Sequence, residues 1–184
     1  MSQQVVLVNG LPGSGKTTLA RPLSERLGVP CLSKDTVKEA LADAVDRRAG
    51  ALLGAAAMEA VWRLAAAPLP CVVVESWWFR PRDLEHARRG LATAGAGAVV
   101  EVWCDVPPAL AERRYRARPR RHAVHDDGRD RTADWAAWGI DPEPLGLGPV
   151  LRVDTSLPAD VGDVARRAST LLTGAAEPGG VRAR

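Results

Sequence analysis

Residues 10–17 read Gly-Leu-Pro-Gly-Ser-Gly-Lys-Thr and directly follow the apolar run Val5–Val8. The spacing fits G-x-x-x-x-G-K-[ST], in which glycines let the backbone wrap around a phosphate with its N–H groups turned inward. In this pattern Lys16 reaches the terminal phosphates of a nucleotide, and the hydroxyl of Thr17 binds Mg²⁺. Leucines at helical spacing follow, so the phosphates would lie at a helix N-terminus, whose dipole favours anions. We name residues 10–17 the phosphate-binding loop.

Lysine is rare in this chain, and its placement supports the same prediction. The 184 residues include 25 lysines and arginines, of which only Lys16, Lys34 and Lys38 are lysines. A chain so biased toward arginine nevertheless has lysine where the motif requires it. The residues predicted to contact the nucleotide phosphates are Gly10, Leu11, Pro12, Gly13, Ser14, Gly15, Lys16, Thr17 and Thr18.

Composition indicates one globular domain. The hydrophobic content is 46% and the charged content 26%, both ordinary values. No apolar stretch is long enough for a transmembrane helix and no signal peptide is recognisable, so we expect a cytoplasmic protein without a membrane partner. Cys31, Cys71 and Cys104 lack metal-ligand spacing, which favours buried reduced thiols. A net charge of +3 falls short of a nucleic-acid footprint, so nucleic acid is not an expected partner.

Strand-length apolar runs alternate with segments of helical spacing. The predicted strands are Val5–Val8, Val29–Leu32, Cys71–Val74, Ala98–Cys104 and Val150–Val153. The predicted helices are Thr17–Leu27, Asp35–Val45, Leu52–Leu64, Arg82–Ala92, Pro108–Ala117 and Asp160–Leu172. This alternation predicts an α/β fold with a buried parallel sheet and helices on both faces. We expect one domain over residues 1–173, an irregular stretch over 118–148, and a frayed tail over 174–184.

Several carboxylates follow predicted strands, at the edge of the sheet where α/β proteins bind their ligands, and two of them, Asp35 and Glu75, are the candidates for chemistry. Asp35 is the predicted catalytic base, which would orient an acceptor hydroxyl and take its proton. The alternative for Asp35, capping of the next helix, is compatible with that role. Glu75 would hold Mg²⁺ through a water or bind the acceptor, and the alternative is a solvated charge at a strand end.

Aromatic and histidine side chains offer further contacts to an organic acceptor. Trp77 and Trp78 follow Glu75, and either would line an apolar pocket or cover the core. His122 and His125 would contact the substrate or form hydrogen bonds within a lid, because a metal site would need further ligands.

Six arginines crowd residues 113–121 at the start of a predicted lid that extends to about residue 148. Phosphoryl transfer needs cations over the developing charge, often on a mobile lid that excludes water. A solvated helix face is the alternative for such a run of charge. The predicted phosphate contacts are Arg113, Arg116 and Arg120, which could share one face, with Arg114 and Arg118 as alternates.

These residues resemble the small-molecule kinase branch of the P-loop kinases, and most nearly the chloramphenicol phosphotransferase-like proteins. Three pieces carry the resemblance. They are Val8–Thr18 with Leu32–Asp35, then Val102–Asp105 running into Glu112–Arg118, and finally Val153–Ser156 leading to the last helix. Together they span most of residues 5–172. The resemblance implies five parallel strands in the order 2-3-1-4-5, ATP with Mg²⁺, an acidic base at Asp35 and an arginine-bearing lid. It also implies that adenine lies near Asp154, Thr155 and Ser156.

The function expected from residues and resemblance together is ATP-dependent phosphorylation of a hydroxyl on a small organic molecule. An antibiotic, a sugar or a nucleoside would fit, and the oligomeric state stays open. Two alternatives remain. A kinase acting on a nucleic-acid 5′ end would need a basic groove beyond the lid. A regulatory nucleotide switch would bind and slowly hydrolyse ATP without any acceptor.

Overall fold

The computed structural model describes residues 3–45, 50–119, 122–125 and 130–175. Five parallel strands form its central sheet: β1 (Gln3–Asn9), β2 (Cys31–Ser33), β3 (Cys71–Glu75), β4 (Ala96–Asp105) and β5 (Val150–Asp154). The strand order is β2-β3-β1-β4-β5. The predicted parallel α/β sheet is therefore confirmed, as is the strand order implied by the resemblance.

Seven helices join these strands within the described residues. They are α1 (Lys16–Leu27), α2 (Lys34–Ala44), α3 (Gly50–Ala65), α4 (Arg80–Thr93), α5 (Pro108–Ala117), α6 (Thr132–Trp138) and α7 (Val161–Ala175). None of them is both long enough and apolar enough to cross a bilayer.

Two stretches differ from the predicted organisation. The segment expected to be irregular contains α6 and a 3₁₀ turn at Ala123–His125. Helix α6 is only seven residues long, which is too short for a recognisable apolar repeat. At the other end α7 continues through the first two residues of the predicted tail, and residues 176–184 lie outside the described part.

Strand β1 is buried on both faces because its residues alternate between two layers of helices. Val6 and Val8 pack with α1 and α7, whereas Val5 and Leu7 pack with α3 and α4. All four valine and leucine side chains are fully buried. This continuous apolar strand is what a parallel sheet covered on both faces requires, and it places the loop after β1 at the middle of the carboxyl edge.

Candidate active site

The phosphate-binding loop has a backbone that only glycine can supply at three positions. Gly10, Gly13 and Gly15 have φ angles of 144°, 81° and 92°, in the region that side chains with a Cβ rarely adopt. A Cβ at Gly13 would also overlap the carbonyl of Ala111 in α5, and one at Gly10 would lie 2.7 Å from the Cys104 carbonyl oxygen. The loop is therefore packed tightly between β4 and α5, with its shape fixed.

Two donors in this loop lack an anionic partner, and both suit a phosphate. The hydroxyl of Ser14 is buried and has no hydrogen-bond partner within the described structure. Lys16 is 8% exposed, and within the described ranges its Nζ donates to the Leu11 carbonyl alone, at 3.0 Å. Burial lowers the pKa of Lys16 below its ordinary 10.5 because the ammonium is removed from water. An anion held in the loop would satisfy both groups.

Glu75 links the loop to the neighbouring strand. Its Oε1 accepts a hydrogen bond from Thr17 Oγ1 at 3.3 Å, and its Oε2 accepts one from Ser33 Oγ at 2.7 Å. Strand pairing explains the arrangement, because Glu75 is in register with Val8 on one side and Ser33 on the other. The carboxylate is 3% exposed. Its oxygens and the Thr17 hydroxyl form a set of hard donors that fits Mg²⁺.

Asp35 lies in the first turn of α2, near the phosphate-binding loop. Its negative charge raises the pKa of Lys16 against the larger effect of burial, so the two groups lie within electrostatic range. Its carboxylate is exposed and forms no hydrogen bond or ion pair with the described residues. The cap that was the alternative role for Asp35 is thus not formed, and the carboxylate is open to solvent beside the loop.

The arginines of the predicted lid separate into different positions. Arg118 lies near Lys16, because its charge lowers the pKa of that lysine. Arg114 donates from Nη1 and Nη2 to the Thr155 and Ser156 carbonyls at 2.9 and 2.7 Å. Arg116 is instead paired on the exposed face of α5 with Glu112 at 2.6 Å, and Arg113 is exposed on the same helix. Arg120 lies outside the described residues.

The loop after β5 is attached directly to the phosphate-binding loop. Thr155 Oγ1 donates to the Ser14 carbonyl at 2.7 Å, and its backbone N–H donates to the Asp105 carbonyl at 3.0 Å. Asp154 accepts the Ser156 N–H at 2.8 Å, and hydrogen bonds from Ser156 lower the pKa of this carboxyl below its ordinary 3.8. The residues predicted to lie near adenine therefore form a fixed wall beside the loop.

A buried polar pair that the sequence analysis did not select holds the start of the loop. Asn9 Oδ1 accepts the N–H groups of Gly10 and Trp78 at 2.7 and 3.1 Å, and its Nδ2 donates to Glu101 Oε1 at 2.9 Å. Glu101 also accepts the N–H groups of Leu145 and Gly146, each at 2.9 Å. Both side chains have 0% exposure. Two polar residues within otherwise apolar strands were the signal that could have identified them.

The two tryptophans that were predicted to line a pocket or cover the core pack in different clusters of the structure. Trp78 is 3% exposed and stacks on Trp62 with ring centroids 6.1 Å apart, so its ring belongs to the core beneath α3 and α4. Trp77 is partly buried and contacts Phe79 and Trp138 at 6.1 and 6.0 Å. Its Nε1 has no hydrogen-bond partner in the part of the chain described. Trp77 is thus the one of the pair that remains available to an acceptor.

The segment with both histidines packs on α2, where each histidine contacts an acidic side chain of that helix. His122 Nε2 is 3.0 Å from Asp43 Oδ1, and His125 Nε2 is 2.9 Å from Glu39 Oε1. Lys38 Nζ adds a hydrogen bond to the Val124 carbonyl at 3.3 Å. Across the described ranges no three His, Cys, Asp or Glu side chains are grouped to hold a metal. These contacts connect the predicted lid to the helix that begins beside the phosphate-binding loop.

The two tryptophans allow a test that separates the pocket from the core. Trp77→Ala should raise the KM for the acceptor about 5- to 150-fold and leave the KM for ATP unchanged, because an apolar wall contact is lost. Trp78→Ala should instead leave both KM values unchanged and destabilise the fold by about 3–5 kcal/mol, because it empties a core position. Melting temperature and both KM values should be measured for each variant. A higher acceptor KM with an unaltered melting temperature in Trp78→Ala would contradict this assignment.

The chain is similar to several solved structures. A protein from Chloroflexus aurantiacus described as a candidate kinase is 26% identical and has a TM-score of 0.74, with 94% of this chain and 100% of that one covered. A gluconokinase from Sinorhizobium meliloti is 18% identical with a TM-score of 0.55, covering 94% and 91%. A shikimate kinase from Bacteroides thetaiotaomicron is 17% identical with a TM-score of 0.60, covering 94% and 99%. The last two show a shared fold.

One curated relative matches over a short stretch. The cytidylate kinase of Methanothermobacter thermautotrophicus is 52% identical over 33 residues, which are 18% of this chain and 20% of that kinase. The match therefore spans about a fifth of that kinase's length.

The family model described as an AAA domain matches residues 5–137, which include the phosphate-binding loop, Asp35, Glu75 and α5. This range covers most of the chain and the first four of its five strands. Together with the strand order and the loop geometry, it shows that the chain belongs to the AAA_33 family of P-loop kinase domains.

Proposed function

We propose that this protein transfers the γ-phosphate of ATP to a hydroxyl group of a small organic molecule. The observation that carries the proposal is the position of Asp35, an exposed carboxylate that forms no hydrogen bond or ion pair with the described residues and lies within electrostatic range of Lys16 of the phosphate-binding loop. A base opposite the terminal phosphate is what an alcohol acceptor needs. The resemblance to small-molecule kinases in fold supports this reading.

We assign residues to each step of this reaction. Lys16 and the loop N–H groups would hold the terminal phosphates, and Arg118 would neutralise charge on the phosphoryl group in transfer. Asp35 would orient the acceptor hydroxyl for in-line attack and accept its proton as the new P–O bond forms. Thr17 and Glu75 are placed to hold Mg²⁺, directly or through water, and the ion would supply charge neutralisation at the phosphates.

The remaining contacts position the nucleotide and the acceptor. Residues 154–156 would form the wall against adenine, and Arg114 fixes the shape of this loop by its two bonds to backbone carbonyls. Trp77 would provide an apolar surface for the acceptor next to Glu75. The segment with His122 and His125, which lies on α2, would enclose the acceptor from the outside and exclude water.

The test is acceptor-dependent release of ADP from the purified protein with Mg²⁺ and ATP. The panel would contain sugars, sugar acids, nucleosides, aminoglycoside and phenicol antibiotics, and 5′-hydroxyl oligonucleotides. We expect ADP release to rise well above basal hydrolysis with at least one small hydroxyl compound. Stimulation by oligonucleotides alone would favour the nucleic-acid kinase, and ATP binding with no stimulation by any compound would favour the nucleotide switch.

A further inference from the structure

Lys34 is a half-buried cation at the proposed acceptor side. It begins α2 directly after Ser33, whose hydroxyl donates to Glu75. The other two lysines of the chain, Lys16 and Lys38, each donate to a backbone carbonyl. Lys34 makes no hydrogen bond or ion pair with any residue in the described ranges. All three lysines of a chain dominated by arginine thus lie around one site.

The nearby acids do not neutralise Lys34. Asp83 is already occupied, because both of its carboxylate oxygens accept from Arg82, at 2.8 and 2.7 Å, and one also accepts the Phe79 N–H at 2.8 Å. Asp35 is the acid whose charge acts most strongly on Lys34, and it is the proposed base. Burial lowers the pKa of Lys34 below its ordinary 10.5, and the charges of Asp35 and Asp83 oppose that effect only in part.

Lys38 adds a second positive charge on the same face. It follows Lys34 by four residues in α2, so the two side chains are neighbours on one side of the helix. Its ammonium donates to the Val124 carbonyl, which is a neutral group. Burial is the largest effect that lowers the pKa of Lys34, and the like charge of Lys38 lowers it further, so the two lysines lie within electrostatic range of each other. Lys34 and Lys38 therefore present two positive charges on one side of α2, whereas Arg82 is paired with Asp83.

We propose that the acceptor carries an anionic group, a carboxylate or a phosphate, which pairs with Lys34 while Lys38 flanks it. This inference rests on the proposed function, because it assigns a charge to the acceptor of that reaction. Lys34 and Asp35 are adjacent in one helical turn, so the anionic group and the reacting hydroxyl would be held at neighbouring points of the same small molecule. A neutral analogue would leave the half-buried ammonium unpaired, and the site would discriminate against it.

The experiment uses matched pairs that differ only in charge: gluconate with gluconamide, and glucose 6-phosphate with glucose. Binding is read as a shift in melting temperature with Mg²⁺ and a non-hydrolysable ATP analogue present, so that the phosphate-binding loop is already filled. Turnover is read separately as ADP release with ATP. The variants are Lys34→Met, Lys34→Arg and, as a matched loss of one positive charge on a remote exposed helix face, Arg63→Met.

We expect an anionic member of a pair to raise the melting temperature and to be the better acceptor. In Lys34→Met the KM for the anionic acceptor should rise about 10- to 100-fold relative to the KM for its neutral analogue, since a bond to a charged group is lost. Lys34→Arg should restore part of it, and Arg63→Met should behave as wild type. Without ligands Lys34→Met should keep or raise the melting temperature, because it removes an unpaired half-buried charge.

The two readouts separate this inference from the proposed function. Lys34-dependent binding of an anion without ADP release would support the anion site and count against phosphoryl transfer to that compound. The anion site would be overturned if ADP release were equal with the charged and the neutral member of a pair. It would also be overturned if Lys34→Met lowered ADP release equally with both members. Either result would leave the proposed kinase activity standing. Failure of every anionic compound to shift the melting temperature of the wild type would also overturn it.

Discussion

Replacing Lys16 with methionine should lower kcat by about 10²-fold or more while the protein remains folded. The ammonium of Lys16 lies inside the phosphate-binding loop, where it donates to the Leu11 carbonyl and forms no ion pair with the residues that the structure describes, so its charge is available to the phosphates. Methionine keeps the length and apolar volume of the side chain. Because burial lowers the pKa of Lys16 by more than the charges of Glu75 and Asp35 raise it, removal of this buried cation should leave the melting temperature unchanged or slightly raised.

The measurement is steady-state ADP release with the best acceptor, alongside thermal unfolding with and without ATP and Mg²⁺. Stabilisation by ATP should shrink in Lys16→Met, because the phosphate contact is lost in the ground state as well. Arg63→Met provides the control, since it removes one charge from the exposed pair with Glu59 on α3. A Lys16→Met enzyme with near wild-type kcat would remove the central role assigned to the loop.

The loop could be predicted from sequence because its chemistry is local. Eight consecutive residues specify the glycine conformations, the lysine and the hydroxyl, and the apolar runs before and after fix a strand and a helix. The same reasoning placed Glu75 and Asp35 at the carboxyl edge of the sheet. The length of the apolar runs and their alternation with helical segments sufficed for this prediction. Parallel strands that are covered on both faces appear in a sequence as continuous apolar runs.

The contacts that long side chains form could not be predicted in the same way. Arg113, Arg114, Arg116 and Arg118 follow one another on α5 and just beyond it, yet one fixes the loop after β5, one pairs with Glu112, and one approaches Lys16. Helical spacing gives the face of each residue, but the partner depends on which loop folds against that face. The separation of Trp77 from Trp78 has the same origin, because consecutive residues after a strand point in opposite directions.

The Asn9–Glu101 pair was missed for another reason. A polar residue inside an apolar run makes the run a less typical strand, and it does not reveal which group the polar side chain will bind. Apart from the N–H of Gly10, the next residue, the partners here are backbone N–H groups distant in sequence, at Trp78 and Leu145. Only the assembled sheet brings them together. A buried carboxylate that accepts three hydrogen bonds is stabilised in place, and through Asn9 it fixes the position from which the phosphate-binding loop departs.

Asp35→Asn should lower kcat by about 10²- to 10⁴-fold and change ATP binding far less. Asparagine preserves the shape of the side chain and can still hold the acceptor hydroxyl, but it cannot accept the proton released as that oxygen attacks the phosphorus. Because the carboxylate has no partner among the described residues, the substitution breaks no contact in the fold, and the melting temperature should be unchanged.

The assay should be run near neutral pH, because the negative charge of Asp35 raises the pKa of Lys16. At alkaline pH the variant would also lose part of the positive charge of Lys16, and two effects would be mixed. Asp163→Asn, which removes an exposed carboxylate of α7 paired only with arginines one turn away, is the matched control. Should ATP affinity collapse while kcat at saturation stays normal, Asp35 would hold the nucleotide or its metal. The base would then have to be sought at another carboxylate of this edge of the sheet, with Glu75 as the first candidate.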